Sequence, residues 1–468
     1  MALGFELPNL GEDFEMLGHW WLPDAPDSPI VGVFASRSGN LSLKLLGNFE
    51  SINLNSTYHK TPVILGAAEA KEITLVDCFQ NPCGMKAPGT IEQNFSPRMA
   101  FIGALLPKGS ESEFESWSVQ PRDLGPWLSQ PAIIDKMTFG ESNRFHEFSY
   151  SYQSGYSPTF AIQRLAAELS YGYSVSTHSS RYRSAGIDVA AYMSLKPSQP
   201  EKWSWFQDNF QWLLDLHSCL FGRRTVVERI FAIPAGLEGG ERSIVSVVEG
   251  HGKAPTTKEM EPWEVLMPLP QIQDILSDCF HKWLDSLEKI REPVGLLLSA
   301  EESNATELRL LVICQALEAF HRNTYGGQYL SVDDYEPIRK AIVSAIPDGI
   351  DSSLRTSLKS RIQFGYQYSL GKRLDLLLKS LDLSTLDQFG IGRDFAQEVK
   401  DARNLFTHWD LSSANGAPTG LQLLKMVSKL HVLARLILLK FIGIDEQIAA
   451  KRMYENRHRY LPEYVSLQ

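Results

Sequence analysis

An arginine and a histidine five positions apart, Arg403 and His408, sit in the segment DFAQEVKDARNLFTHWD, residues 394–410. This pair could cleave RNA, because RNA carries its own nucleophile in the 2′-hydroxyl. An enzyme then needs a proton acceptor, a proton donor and a cation on the phosphate. Histidine titrates near neutral pH and can move the proton. Arginine stays charged and can grip phosphate oxygens in bidentate fashion as charge builds up. No metal or other cofactor is required for that route, and a substrate without a 2′-hydroxyl should not react.

Spacing alone is not specific. With 24 arginines and 11 histidines in 468 residues, chance supplies about half of one Arg-x4-His pair. Arg452 and His458, in the basic run 451–460, form a looser pair, and chemistry in that tail is a separate possibility.

The element that must carry Arg403 and His408 is a helix. Phe395, Val399, Ala402, Phe406 and Trp409 recur every three or four positions and form one apolar stripe. At about 100° per residue, Arg403 lies roughly 80° from Phe395, at the stripe's border, and His408 about 140° further round. An unbroken helix would aim the two side chains apart. Either the helix loosens after Phe406, or a second copy of the chain completes the site, as two such edges can meet across a symmetric dimer.

Around this helix the chain from about residue 300 onward reads as a helical bundle. Asn304 or Thr306 could cap a first helix whose stripe includes Leu310, Ile313, Leu317 and Phe320, stopping at Tyr325-Gly326-Gly327. Further helical patterns span 335–345, 354–365, 370–381 and 421–439. Upstream, residues 1–155 are β-rich, with short alternating runs at 30–34, 41–46, 73–78 and 99–106 between turn clusters. Trp20 and Trp21 are expected in its core. Residues 156–299 are mixed, with helical spacing at 204–222 and 268–290 and a strand at 243–248. His217 and His281, on those helices, are read as structural histidines, and Cys78 and Cys83 as buried thiols. The expected class is α+β, in three segments: 1–155, 156–299 and 300–468.

The net charge of −10 argues against nonspecific nucleic-acid binding by the whole molecule. Its distribution is uneven: residues 300–468 hold 21 basic and 20 acidic residues, leaving 24 against 35 upstream. The near-neutral C-terminal part is compatible with RNA contact. The start, MALGFELPNLGEDFE, has neither a basic region nor an apolar core, so a secretory signal is not expected. The apolar stretch 430–444 is interrupted by Arg435 and Lys440 and is too short to span a bilayer. Five thinly spread cysteines fit a reducing compartment, and a cytoplasmic location is expected. No Walker A loop, dinucleotide fingerprint, GxSxG elbow or HExxH occurs.

Arg403-Asn404-Leu405-Phe406-Thr407-His408 resembles the R-x4–6-H motif of HEPN (higher eukaryotes and prokaryotes nucleotide-binding) proteins, in which a polar residue commonly follows the arginine. Asn404 fits, whereas Met453 after Arg452 does not. LLVICQALEAFHR, residues 310–322, is similar to the family's first long helix, and the stretch beyond Leu421 to its final packing helix. GHWWLPDAPDSPIVGVF, residues 18–34, with LSLKLLG, residues 41–47, is similar to the N-terminal domain of ApeA-type proteins. These resemblances imply an ApeA-like anti-phage defence protein. It would be a HEPN ribonuclease that cuts cellular RNA, tRNA among the targets, and halts host growth in answer to a phage-derived trigger.

They also imply a homodimeric site. His408 would transfer protons, Arg403 would grip phosphate, and Asn404 would orient the phosphate or the histidine. Lys400 would touch backbone phosphate, or be a solvated lysine. Glu318 would be an accessory participant, or a partner for an arginine. The β-rich portion would be sensory or regulatory. The rival reading is a catalytically silent HEPN scaffold that binds a nucleotide or partner protein through the same bundle.

Overall fold

The computed structural model describes residues 9–49, 59–82, 84–85, 91–139, 145–153, 157–180, 184–236, 244–250, 258–408 and 418–460. Cys83 and Trp409 lie outside them. The chain divides into two compact units, residues 1–217 with 225–277, and residues 218–224 with 278–468.

The first unit is built on β-strands. In chain order come β1 (Phe14–Trp21), β2 (Ile30–Arg37), β3 (Asn40–Leu46), β4 (Lys60–Ala68), β5 (Lys71–Gln80), β6 (Gly84–Met85), β7 (Ile91–Ser96) and β8 (Met99–Ile102). Antiparallel pairing in the order β1-β2-β3-β7-β5-β4, with β4 back on β1, closes six of them into a barrel. Closure removes exposed strand edges. The period-2 pattern of β1 sends Met16 and Trp20 inward and Leu17 outward. Trp20 is fully buried and donates from Nε1 to the Gly32 carbonyl at 3.0 Å. Gly66 is what lets the indole lie flat on β4, since a Cβ there would stand 2.2 Å from Trp20 Cε3.

The sheet continues past the barrel through β9 (Glu113–Pro121), β12 (Thr159–Ile162), β13 (Ala167–Ser180), β14 (Ser184–Pro197), β15 (Glu201–Lys202), β16 (Val227–Pro234) and β17 (Val245–Glu249). Beyond β5 its order is β8-β17-β16-β9-β14-β13-β12, with β15 on β9. A separate hairpin joins β10 (Ile133–Phe139) to β11 (Phe145–Tyr152). The short helices α1 (Leu124–Leu128) and α3 (Leu269–Ile272), and the longer α2 (Trp203–Phe221), also belong to this part of the chain. His217 is buried, as its structural reading expects: Nδ1 donates to the Leu213 carbonyl at 2.6 Å, leaving Nε2 to accept from the Tyr171 hydroxyl at 3.0 Å. Cys78 is a buried free thiol.

The second unit is helical. After α4 (Leu276–Asp285) and α5 (Leu287–Glu302) come α6 (Thr306–Tyr325), α7 (Val332–Ser344), α8 (Ser352–Gln363), α9 (Leu370–Lys379), α10 (Leu383–Gln388), α11 (Phe395–His408), α12 (Leu421–Phe441), α13 (Glu446–Glu455) and α14 (Arg457–Tyr460). The fold class is α+β. The α6 stripe reads as expected, with Leu310, Ile313, Leu317 and Phe320 buried. Its start differs: the N-cap is Ala305, with no side-chain capping bond, so neither Asn304 nor Thr306 caps it. Tertiary packing of the apolar stripe holds this helix without a polar cap.

The end of α6 is held by an arginine. Gly326 takes a positive φ of 71° there. Arg373, on α9 and only 1% exposed, donates from Nη1 to the Gly326 carbonyl at 2.5 Å and from Nη2 to that of Gly327 at 3.3 Å. It also donates from Nη1 to His321 Nδ1 at 3.1 Å. A cation just past the last turn of a helix suits the negative end of the helix dipole, and here it also gives the Gly326 carbonyl a donor. Among the described residues, no helix is long and apolar enough to cross a membrane.

Candidate active site

The helix α11 positions the candidate residues through its apolar stripe. Phe395, Val399, Ala402 and Phe406 are buried, and the helix packs on α6 and α9. Arg403 and Asn404 stand half-buried at the stripe's border, while Thr407 is exposed. The helix does not loosen after Phe406. It runs on through His408, and the Thr407 hydroxyl donates back to the Arg403 carbonyl at 2.7 Å. Along such a helix His408 is displaced from Arg403 by about 7.5 Å of axial rise and about 140° of rotation. The two backbone positions therefore fall on different faces of one copy of α11.

The Nη1 of Arg403 donates to Asn404 Oδ1 at 3.2 Å. Among the described residues no carboxylate pairs with Arg403, so its guanidinium keeps an uncompensated positive charge at a half-exposed position. Lys400, one turn earlier, donates to Gln397 Oε1 at 3.3 Å. Its aliphatic stem lies on α9 at Gly371, where a Cβ would stand 2.9 Å from Lys400 Cδ. Glu318, on α6, is paired with Arg322 Nη2 at 2.7 Å.

A residue passed over in the sequence links these groups. Cys314 is buried on α6, and burial pushes its thiol up to about 12; the Arg403 charge pulls the other way and the Glu318 charge adds to the rise. Arg403 and Glu318 thus act on one thiol from nearby, which places the α6 and α11 candidates in one neighbourhood. The thiol itself stays protonated and inert. The cue in the sequence was Cys314 falling on the stripe between Leu310 and Leu317.

A second polar cluster lies within this unit. Glu301 Oε1 accepts from Arg435 Nη2 and lies 2.8 Å from His431 Nε2, which in turn is 3.1 Å from Arg435 Nε. Burial disfavours the Glu301 charge, yet Arg435 and His431 outweigh it and hold the carboxyl below its usual range. Burial pushes His431 down. The three are almost wholly enclosed, which fits an internal tie between α5 and α12 better than contact with a polymer. The sequence signal was a histidine and an arginine four apart in an otherwise apolar helix, a spacing that puts both on one side. Of the second Arg–His pair, Arg452 lies on α13, bonded to Glu455 at 2.8 Å, and His458 on α14, so no single helix carries both.

Comparison with known families gives two matches. Residues 15–283 match the model of ApeA N-terminal domain 1, and residues 311–448 match that of the Apea-like HEPN domain. The second span contains Glu318, Lys400, Arg403, Asn404 and His408. No curated protein and no solved structure matches the chain.

Proposed function

We propose that this chain, which belongs to the ApeA-like HEPN family, is a metal-independent endoribonuclease whose site forms where two copies of α11 meet. The family is one of anti-phage HEPN nucleases, and HEPN domains are in general ribonucleases. On this reading the protein acts in the cytoplasm, cuts cellular RNA including tRNA, and stops the growth of an infected cell. The β-rich unit responds to a phage-derived trigger.

In the proposed reaction a base takes the proton from a ribose 2′-hydroxyl, and that oxygen attacks the adjacent phosphorus. The O2′–P bond forms and the P–O5′ bond breaks, with a second proton delivered to O5′. The products are a 2′,3′-cyclic phosphate and a 5′-hydroxyl. His408 would transfer both protons, taking one from O2′ and delivering one to O5′. Arg403 would hold the non-bridging oxygens as charge grows. Asn404, bonded to Arg403, would fix the direction of the guanidinium. Lys400 would meet the neighbouring phosphate.

The observation that carries this reading is the continuity of α11 through His408, beside an Arg403 with no carboxylate partner among the described residues. A charged, half-exposed arginine at the border of an apolar stripe supports a partner helix arriving there. The test is incubation of the full chain with total cellular RNA, followed by end mapping. Wild type should produce discrete new 5′-hydroxyl ends, and His408→Ala none. Equal cleavage by both proteins would remove the proposal.

A further inference from the structure

The stretch between α6 and α9 carries an aromatic platform. Residues 326–329 and 366–368 clamp together: the Tyr329 amide donates to the Tyr366 carbonyl at 2.7 Å, the Tyr368 amide to that of Gly327 at 3.1 Å, and Gln328 bridges Gln367. The Tyr329 ring stands edge-on to Tyr368 at 4.7 Å between centroids, and Tyr329 remains 56% exposed. Its backbone is fixed while its ring is open. An exposed tyrosine alone needs no explanation, but this one is bonded to residues 366–368, the segment that joins α8 to α9.

On one side is α8, SSLRTSLKSRIQ, a helix with three cations, no carboxylate and no buried residue. It is fastened to the platform by the Tyr335 hydroxyl, which donates to the Ile362 carbonyl at 2.7 Å, and by the Tyr335–Tyr366 ring pair at 5.5 Å. Lys359 and Arg361, just before that anchor, are exposed and have no acidic partner among the described residues. On the other side, Tyr368 directly precedes Ser369, the N-cap of α9, and Gly371 two positions further receives the Lys400 stem. Arg403 follows Lys400 by one turn of α11.

From this order we infer that Tyr329 is the base-stacking platform of a single-stranded RNA track, running from Arg361 on α8, next to the Ile362 anchor, past Tyr368 to Lys400. The inference rests on the RNA-cleaving reading and names the form of RNA that the site takes. A fixed aromatic face between unpaired cations suits a strand whose bases are free to stack and whose phosphates bind the cations. A duplex keeps its bases stacked on each other and gains nothing from the ring.

The test uses the full chain with His408→Ala, so that RNA survives. A labelled 15-nucleotide uridine-rich single strand is titrated by fluorescence anisotropy at several salt concentrations. Adding Tyr329→Ala should weaken binding about tenfold, and adding Tyr329→Phe should leave it within about twofold, since stacking uses the ring. Adding Arg361→Ala should lower the slope of log affinity against log salt by about 0.7. The same sequence as a duplex should bind more weakly than the single strand. Unchanged binding with Tyr329→Ala, equal loss with Tyr329→Phe, or no binding by the parent would each overturn the track.

The two readings fail separately. A wild type that cuts RNA, with binding indifferent to Tyr329, ends the track and keeps the nuclease. A parent whose binding depends on Tyr329, with a wild type that never cuts, does the reverse.

Discussion

Arg403 donates from Nη1 to the side-chain oxygen of Asn404 at 3.2 Å, a bond between helical neighbours that leaves most of the guanidinium fork open. Arg403→Ala should therefore reduce single-turnover RNA cleavage roughly 100- to 1,000-fold, the range for losing one preorganised charge donor. Asn404→Ala should cost less, about tenfold, because it loosens the arginine without removing its charge. Arg403→Lys should stay nearer to the alanine variant, since an ammonium lacks the bidentate fork. If Asn404→Ala proved as damaging as Arg403→Ala, the asparagine would be more than an orienting group.

The continuity of α11 through His408 makes a further prediction about mixed dimers. Arg403→Ala and His408→Ala are each expected to be inactive alone. If each site takes Arg403 from one copy and His408 from the other, a heterodimer of the two variants retains one intact site. Random mixing should then restore about a quarter of wild-type activity, as half the dimers are mixed and each carries one site of two. Mixtures as silent as the separate variants would show that each copy supplies its own pair.

Chemistry that uses the substrate's own hydroxyl also fixes how the substrate can fail. A 2′-O-methyl group at the scissile ribose should block cleavage there and leave binding nearly intact, and a chelator should leave the cleavage rate unchanged. Mass spectrometry of the fragments should find 2′,3′-cyclic phosphate ends. Cleavage on the 3′ side of a 2′-O-methylated ribose, or loss of activity in chelator, would point to an external water as nucleophile.

How much of this could be read in the sequence depended on whether a pattern was local. The stripe of α11 is local, and Phe395, Val399, Ala402 and Phe406 are all buried as its spacing requires. The alternation in β1 is local too, and Trp20 lies in the core. The contacts that close the barrel are not: Phe79 meets Ser96, and β4 returns to β1, only through tertiary pairing that no periodicity encodes. Arg373 shows the same limit. It falls on α9 as an ordinary basic residue, and its role at the end of α6 appears only when residues 326–327 and 373 are brought together. The Glu301–His431–Arg435 cluster left a half-signal, because the i, i+4 pair was visible in α12 but its partner on α5 was not.

Arg373→Ala should weaken the helical unit by about 3 kcal/mol, because it strips partners from the Gly326 and Gly327 carbonyls and from His321 in a buried setting. Arg373→Lys should recover less than half of the loss, since an ammonium cannot span three acceptors in one plane. Hydrogen exchange in the last turn of α6 is the direct measurement, with urea unfolding for the magnitude. Protection unchanged in the alanine variant would mean that the carbonyls find other donors.

His217 makes the stability of the β-rich unit sensitive to mild acid. Burial pushes its pKa down from 6.5 to about 4, because a charged imidazole there would face the Tyr171 hydroxyl and the Trp127 ring without water. The unfolded chain, with the ordinary value, binds the proton first as pH falls. Stability from this group is complete above about pH 7, declines as pH drops through 6.5, and levels off near pH 4. At about 1.36 kcal/mol per pKa unit, the total loss is roughly 3 kcal/mol. Histidines 321 and 431 are pushed down as well, so a bulk melt alone is ambiguous. The difference between wild type and His217→Gln isolates the contribution. The variant should be less stable at pH 8, yet lose less between pH 7 and pH 4.5, a window that lies mostly above carboxylate titration. Parallel stability curves for the two proteins across that window would show that His217 is protonated in the folded state as readily as in the unfolded one.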